Sequence, residues 1–158
     1  MISIGETELA ELKGADIMIA EFRGAYAFLS NFHPAPTPID NLVYPTSEHA
    51  FQAMKSTDPA YRMHVLRAPT PGQAKRLGRA AALRVDWEAV KIDVMREVVR
   101  AKFRHNADLA AQLLATGDQE LVEGNVWGDK FWGVCNGRGH NWLGKILMEV
   151  RAELRGRT

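Results

Sequence analysis

The run from Trp87 to about His105 constrains the fold most, because Trp87, Val90, Val94 or Met95, Val98 and Phe103 recur with the period of an α-helix. So long a stripe needs other elements to cover it, and the segment is expected to be the spine of the core. Asp86 is placed to cap it. Other helix starts are written just as locally. Thr46 or Ser47 can cap a helix through Glu48 and Met54. Asp58-Pro59 opens one that runs to about Arg67, and Thr70-Pro71 opens one through Arg79. Asn106 restarts the chain through Leu109, Leu113 and Leu114 until Thr116-Gly117 stops it. Asn141 is expected to cap a last helix that turns Trp142, Leu143, Ile146, Leu147, Val150 and Leu154 inward.

Strand signals are few and short. Ile17–Phe22 reads as a strand stopped by Gly24, Asn41–Tyr44 as a second and Glu120–Glu123 as a third, while Pro34, Pro36 and Pro38 forbid helix between them. The sum is an α+β chain: one helix-rich domain over 17–158 with a few short strands, after a lead-in over 1–16. A length of 158 residues suits one core without disulfides or a structural metal. No run is apolar enough to span a membrane, Met1–Glu6 lacks the look of a signal peptide, and Cys135 has no second cysteine to pair with. A cytoplasmic protein with no membrane partner is expected.

Several reaction classes find no support. His33, His49, His64, His105 and His140 show no paired metal-ligand spacing, and one cysteine cannot build a zinc site. No phosphate loop, dinucleotide fingerprint or Gly-x-Ser-x-Gly elbow occurs, so no metal and no cofactor is expected. Cys135 reads as a small buried hydrophobe rather than a nucleophile.

Carboxylates, aromatics and cations remain. Glu48 falls in the first turn of its helix, as a capping acid or as a functional carboxylate held by the helix dipole. Asp129 lies between Trp127 and Trp132 in a loop punctuated by Gly124, Gly128, Gly133, Gly137 and Gly139, where it is either a turn residue or a desolvated acid. The indoles there offer flat faces to a heterocycle. Ser30 and Asn31, small and polar among Phe28, Leu29 and Phe32, face a pocket or bond their own turn. Lys75 and Arg79, four apart, share a helix face that can grip a phosphate. Residues 61–105 hold eleven basic and four acidic side chains, a block that suits a phosphorylated ligand or simply two solvated helix faces. Carboxylates, a stacking tryptophan and a phosphate grip together suit cleavage of a ribosyl–nitrogen bond, which develops positive charge on the sugar.

An ordered set of motifs carries a family resemblance over about residues 21–155. It comprises Phe22-Arg23-Gly24 through Ser30-Asn31-Phe32, Tyr44 through Lys55, Thr70-Pro71 through Arg79, Asp86-Trp87, Lys102-Phe103, Leu113 through Gly117, Asp129 through Gly133, and Gly139 through Met148. The chain resembles the YbiA-like, or NADAR, family. That resemblance implies a mostly helical N-glycosidase fold acting on phosphorylated N-ribosides such as early riboflavin-pathway intermediates. It leaves two alternatives: removal of ADP-ribose from guanine in nucleic acid, and non-catalytic sensing of ADP-ribose or NAD. Carried over by position, Glu48, Asp129 and Trp132 are the expected catalytic residues. Lys75, Arg79, Asn31, Ser30, Arg23, Trp87, Trp127 and Asn141 are expected to bind substrate. Trp127 stands where small polar residues are expected, and the resemblance leaves open which carboxylate has which task.

Overall fold

The computed structural model describes residues 18–157, so the lead-in expected over 1–16 and the first residue of the expected strand, Ile17, lie outside the described residues. The fold is α+β. In order it runs β1 (Met18–Ile19), a 3-10 turn (Gly24–Leu29), β2 (Pro34–Ile39), β3 (Leu42–Thr46), α1 (Ser47–Ala53), α2 (Pro59–Leu66), α3 (Pro71–Arg79), α4 (Trp87–His105), α5 (Ala107–Ala115), β4 (Glu120–Leu121), β5 (Gly124–Asn125), β6 (Val134–Cys135) and α6 (Trp142–Arg155).

The α4 spine buries Trp87, Val94, Met95, Val98, Val99 and Phe103, and β2, α1, α5 and α6 pack around it. Every residue of α1 is buried, polar ones included. Such a helix must satisfy its polar groups internally, and this is what fixes the geometry described below. Among the described residues, strands occur as three separate pairs, β1 with β4 and β5 with β6 parallel, and β2 with β3 antiparallel. The hairpin turn is Asp40-Asn41, both at positive φ (47° and 71°), as a two-residue hairpin loop requires. The prolines that exclude helix form half of β2, with an irregular register between Pro34 and Thr37.

Several local expectations change, and the strand expected over Ile17–Phe22 already ends at Ile19. Asp86 makes no capping bond, because Arg84 claims its carboxylate at 2.6 and 3.1 Å. Asn141 is not a side-chain cap either. It sits in the left-handed region (φ 54°) and turns its amide sideways onto β4. The strand expected over Glu120–Glu123 ends at Leu121, and the chain swerves before pairing again at Gly124.

Candidate active site

Thr46 is extended and its hydroxyl oxygen accepts the amide of His49 at 3.1 Å, which fixes where α1 begins. His49 locks that turn: its Nδ1 shares a 2.7 Å hydrogen bond with Thr46 Oγ1 and its Nε2 donates to the carbonyl of Ala68 at 2.9 Å. From the other side, the Glu48 amide donates to the Asn31 carbonyl at 3.0 Å, and Ser47 Oγ donates to Asn31 Oδ1 at 2.9 Å. Glu48 is thus held from both flanks.

Its carboxyl is buried, 7% exposed, and accepts Gln52 Nε2 at 2.8 Å. Burial raises its pKa, while Gln52, Lys75 and Lys55 pull it back and Asp129 adds to the rise. Glu48 and Asp129, far apart in sequence, share one electrostatic environment. Asp129 is clasped by Asn125, whose Oδ1 accepts the Asp129 amide at 3.0 Å and whose Nδ2 donates to the Asp129 carbonyl at 2.8 Å. Asp129 Oδ1 then accepts the amides of Phe131 and Trp132 at 3.1 and 2.9 Å. The residue is a turn acid and a cavity residue at once.

These groups line one cavity of about 720 Å³. The 3-10 turn and its exit supply Ser30, Asn31 and Phe32; α1 and its end supply Glu48, Phe51, Gln52 and Lys55; α3 supplies Lys75 and Arg79. The loop after β4 supplies Glu123, Val126, Trp127, Asp129 and Trp132, and Arg23 stands at the edge beside Glu21. Lys55, Lys75 and Arg79 sit near enough together that the last two lower the Lys55 pKa, behind the larger effect of burial. Trp132 is braced edge-on against Phe51, with ring centroids 5.3 Å apart. At the mouth, Phe32, Val126 and Trp127 are exposed. Carboxylates, cations and aromatic side chains thus line the same cavity.

The model of the NADAR domain family matches residues 20–155. The chain belongs to the NADAR domain family. It is similar to N-glycosidase YbiA of Escherichia coli, 46% identical over 132 residues that cover 82% of each chain. It is 45% identical over 136 residues to an N-glycosidase of Nostoc punctiforme, covering 82% of this chain and 86% of that one. A riboflavin biosynthesis protein of Vibrio vulnificus is 46% identical over 132 residues, 82% of this chain but 36% of that one. The NMR structure of E. coli YbiA superposes with a TM-score of 0.79 at 42% identity, covering 89% of this chain and 87% of that one.

In this NADAR domain, nine of the eleven expected site residues line the cavity: Glu48, Asp129, Trp132, Arg23, Ser30, Asn31, Lys75, Arg79 and Trp127. Trp87 and Asn141 do not. Trp87 is 5% exposed and packs at a tilt against Phe51 with ring centroids 5.2 Å apart, a contact of the core. Trp87→Ala is expected to cost about 3–5 kcal/mol of stability in urea unfolding; a cost under about 1 kcal/mol would remove it from the core. Asn141 donates through Nδ2 to the Leu121 carbonyl and accepts the Glu123 amide through Oδ1, both at 3.0 Å, so it steers Glu123 from behind.

Gln52, Lys55 and Glu123 are cavity residues that the sequence reading did not single out. Gln52 and Lys55 lie in the motif around Glu48 at helical spacing of four and seven, so they share its face. That signal was available. Glu123 had none, since its place depends on the swerve between β4 and β5.

Proposed function

We propose that this protein hydrolyses the N-glycosidic bond of a phosphorylated N-riboside, with ribosylamino-pyrimidine phosphates as the fitting class. Hydrolysis of an N-glycosyl bond is the chemistry of the family to which the chain belongs, and relatives named N-glycosidase and riboflavin biosynthesis protein support the substrate class. The observation that carries the reading is that carboxylates (Glu48, Glu123, Asp129) and cations (Lys55, Lys75, Arg79) line one cavity together.

The chemistry follows from charge. As the C1′–N bond lengthens, its electron pair leaves with nitrogen and the ribosyl carbon becomes cationic. In this reading Glu48 and Asp129, both cavity residues, stabilise that charge, and one of them takes a proton from the attacking water. Lys55, Lys75 and Arg79 hold the phosphate, and Trp132 with the apolar rim takes the base and sugar. Each cation–phosphate contact contributes about 1.5–3 kcal/mol, so a Lys75→Met, Arg79→Met variant should raise KM for the 5′-phosphate by roughly tenfold or more for each cation lost. KM for the dephosphorylated riboside should barely move.

The nucleic-acid alternative draws less support from the surface. Of the basic block, Arg62, Arg84, Lys91, Arg96, Arg100 and Arg104 are ion-paired, and Lys102 is buried. A backbone-binding stripe needs cations directed outward together. The deciding experiment is base release in EDTA from a ribosylamino-pyrimidine phosphate and an ADP-ribosylated guanine oligonucleotide in parallel. Turnover of the first is expected. Turnover of the oligonucleotide alone, or of neither, overturns the reading.

A further inference from the structure

Glu123 enters the cavity from a junction that three other contacts define. Its amide is taken by Asn141 Oδ1 at 3.0 Å, its carbonyl accepts the Val134 amide at 2.8 Å, and Gly133 passes so close that a Cβ there would lie 2.2 Å from that carbonyl. The backbone of Glu123 has little freedom. Its side chain is placed differently from that of Glu48. Glu48 is given an amide donor in Gln52, whereas Glu123 Oε2 is shut off from solvent with no hydrogen-bond partner.

A buried carboxylate oxygen with no donor is costly, and the neutral acid avoids most of that cost. The surroundings press the same way. Burial raises the Glu123 pKa, Asp129 and Glu48 raise it further, and Lys75 and Lys102 offset this only in part, leaving it at about 7. Lys102 is a weak counter-charge because burial lowers its own pKa to about 7, and its Nζ points to the carbonyls of Phe28 and Ser30, at 2.7 and 2.9 Å, rather than to Glu123. One cavity therefore holds Glu48, whose carboxylate has an amide donor, and Glu123, whose buried Oε2 has none. Two carboxyl groups with different hydrogen-bond environments in one cavity can take the different tasks of acid and base.

We propose that Glu123 is the general acid of the reaction, the catalytic residue that protonates the leaving nitrogen, while Glu48 or Asp129 activates water. This rests on the N-glycosidase reading above. In the step, the C1′–N bond breaks with its electron pair going to nitrogen, and the Glu123 proton moves to that nitrogen. Water adds to C1′, and its proton passes to the opposing carboxylate. Return of that proton to Glu123 through solvent restores the resting state.

The test is the pH dependence of kcat on a ribosylamino-pyrimidine phosphate for the wild type, Glu123→Gln and Glu123→Asp. An acid must hold its proton to act, so the wild-type rate should fall as pH rises through about 7. Glu123→Gln should be slower by about 10²-fold or more and flat across that range, while Glu123→Asp should keep the falling limb at a reduced rate. Lys102 also titrates at about 7, so the variant decides what the wild-type profile alone does not. A falling limb that persists in Glu123→Gln, or an unchanged rate, overturns the proposal and leaves the N-glycosidase reading standing. A wild type that releases no base overturns both.

Discussion

Glu48→Gln should lower base release by about 10²–10⁴-fold and leave the protein as stable as before, or more so. Both halves follow from burial. The wild-type carboxyl is kept from water with one amide donor, so its ionised form is held at a cost. Glutamine has the same shape and no charge, and its carbonyl oxygen can accept the same Gln52 Nε2. The sign with pH is fixed. The folded-state pKa of Glu48 lies above its ordinary value of 4.5, so its contribution to stability is fully present below that value and is lost as pH rises through the folded pKa. The variant has nothing to lose there. The gap in Tm between Glu48→Gln and wild type should therefore widen from pH 4.5 toward pH 8. Calorimetry at the two pH values beside the rate assay checks this. A variant with wild-type turnover, with Asp129→Asn behaving likewise, would take both carboxylates out of the chemistry.

Gly133→Ala should damage both the fold and the site, from a position next to the Glu123 backbone. A Cβ at Gly133 would lie 2.2 Å from the Glu123 carbonyl, 2.7 Å from Asn125 Nδ2 and 2.8 Å from Glu123 Cγ. The first of these is backbone and cannot swing away. Relief requires opening β5 from β6 at the Glu123–Val134 hydrogen bond, which moves Glu123 directly and Asp129 through Asn125. A loss of about 1–3 kcal/mol from overpacking is expected, together with loss of most activity. Gly72→Ala, where the nearest atom is Thr70 Oγ1 at 3.9 Å, is the control and should be neutral or slightly stabilising. If both glycines tolerate alanine equally, the close approach at Gly133 has no mechanical role.

Much of this fold was legible because its helix starts are local chemistry. Thr46, Asp58 and Thr70 each take a backbone amide within three residues, so a short window contains cause and effect. Glu48 and Asp129 were legible as candidates for a related reason: each sits at a turn that its own neighbours dictate. Glu123, Asn141 and Trp87 were not. Glu123 reads as a strand residue until Asn141 and Gly133, more than nine residues away, bend the chain beneath it. A tryptophan that starts a helix looks the same in sequence whether it faces a ligand or Phe51. The basic block shows the same limit, since Arg96 and Arg100 owe their partners to Glu149 and Glu153 on α6. Pairing across 53 positions leaves no local trace.

The hairpin of β2 and β3 stands alone as a two-stranded sheet, and such a sheet offers each strand's outer edge to any passing extended chain. Here the β2 edge reads Pro34-Ala35-Pro36-Thr37-Pro38, and a proline has no N–H with which to recruit a new strand. With half of its residues lacking a donor, that edge is a poor template for fibril growth. Crowded or heated samples should consequently fail by unfolding first, with sheet-to-sheet polymerisation of the native molecule disfavoured along that strand.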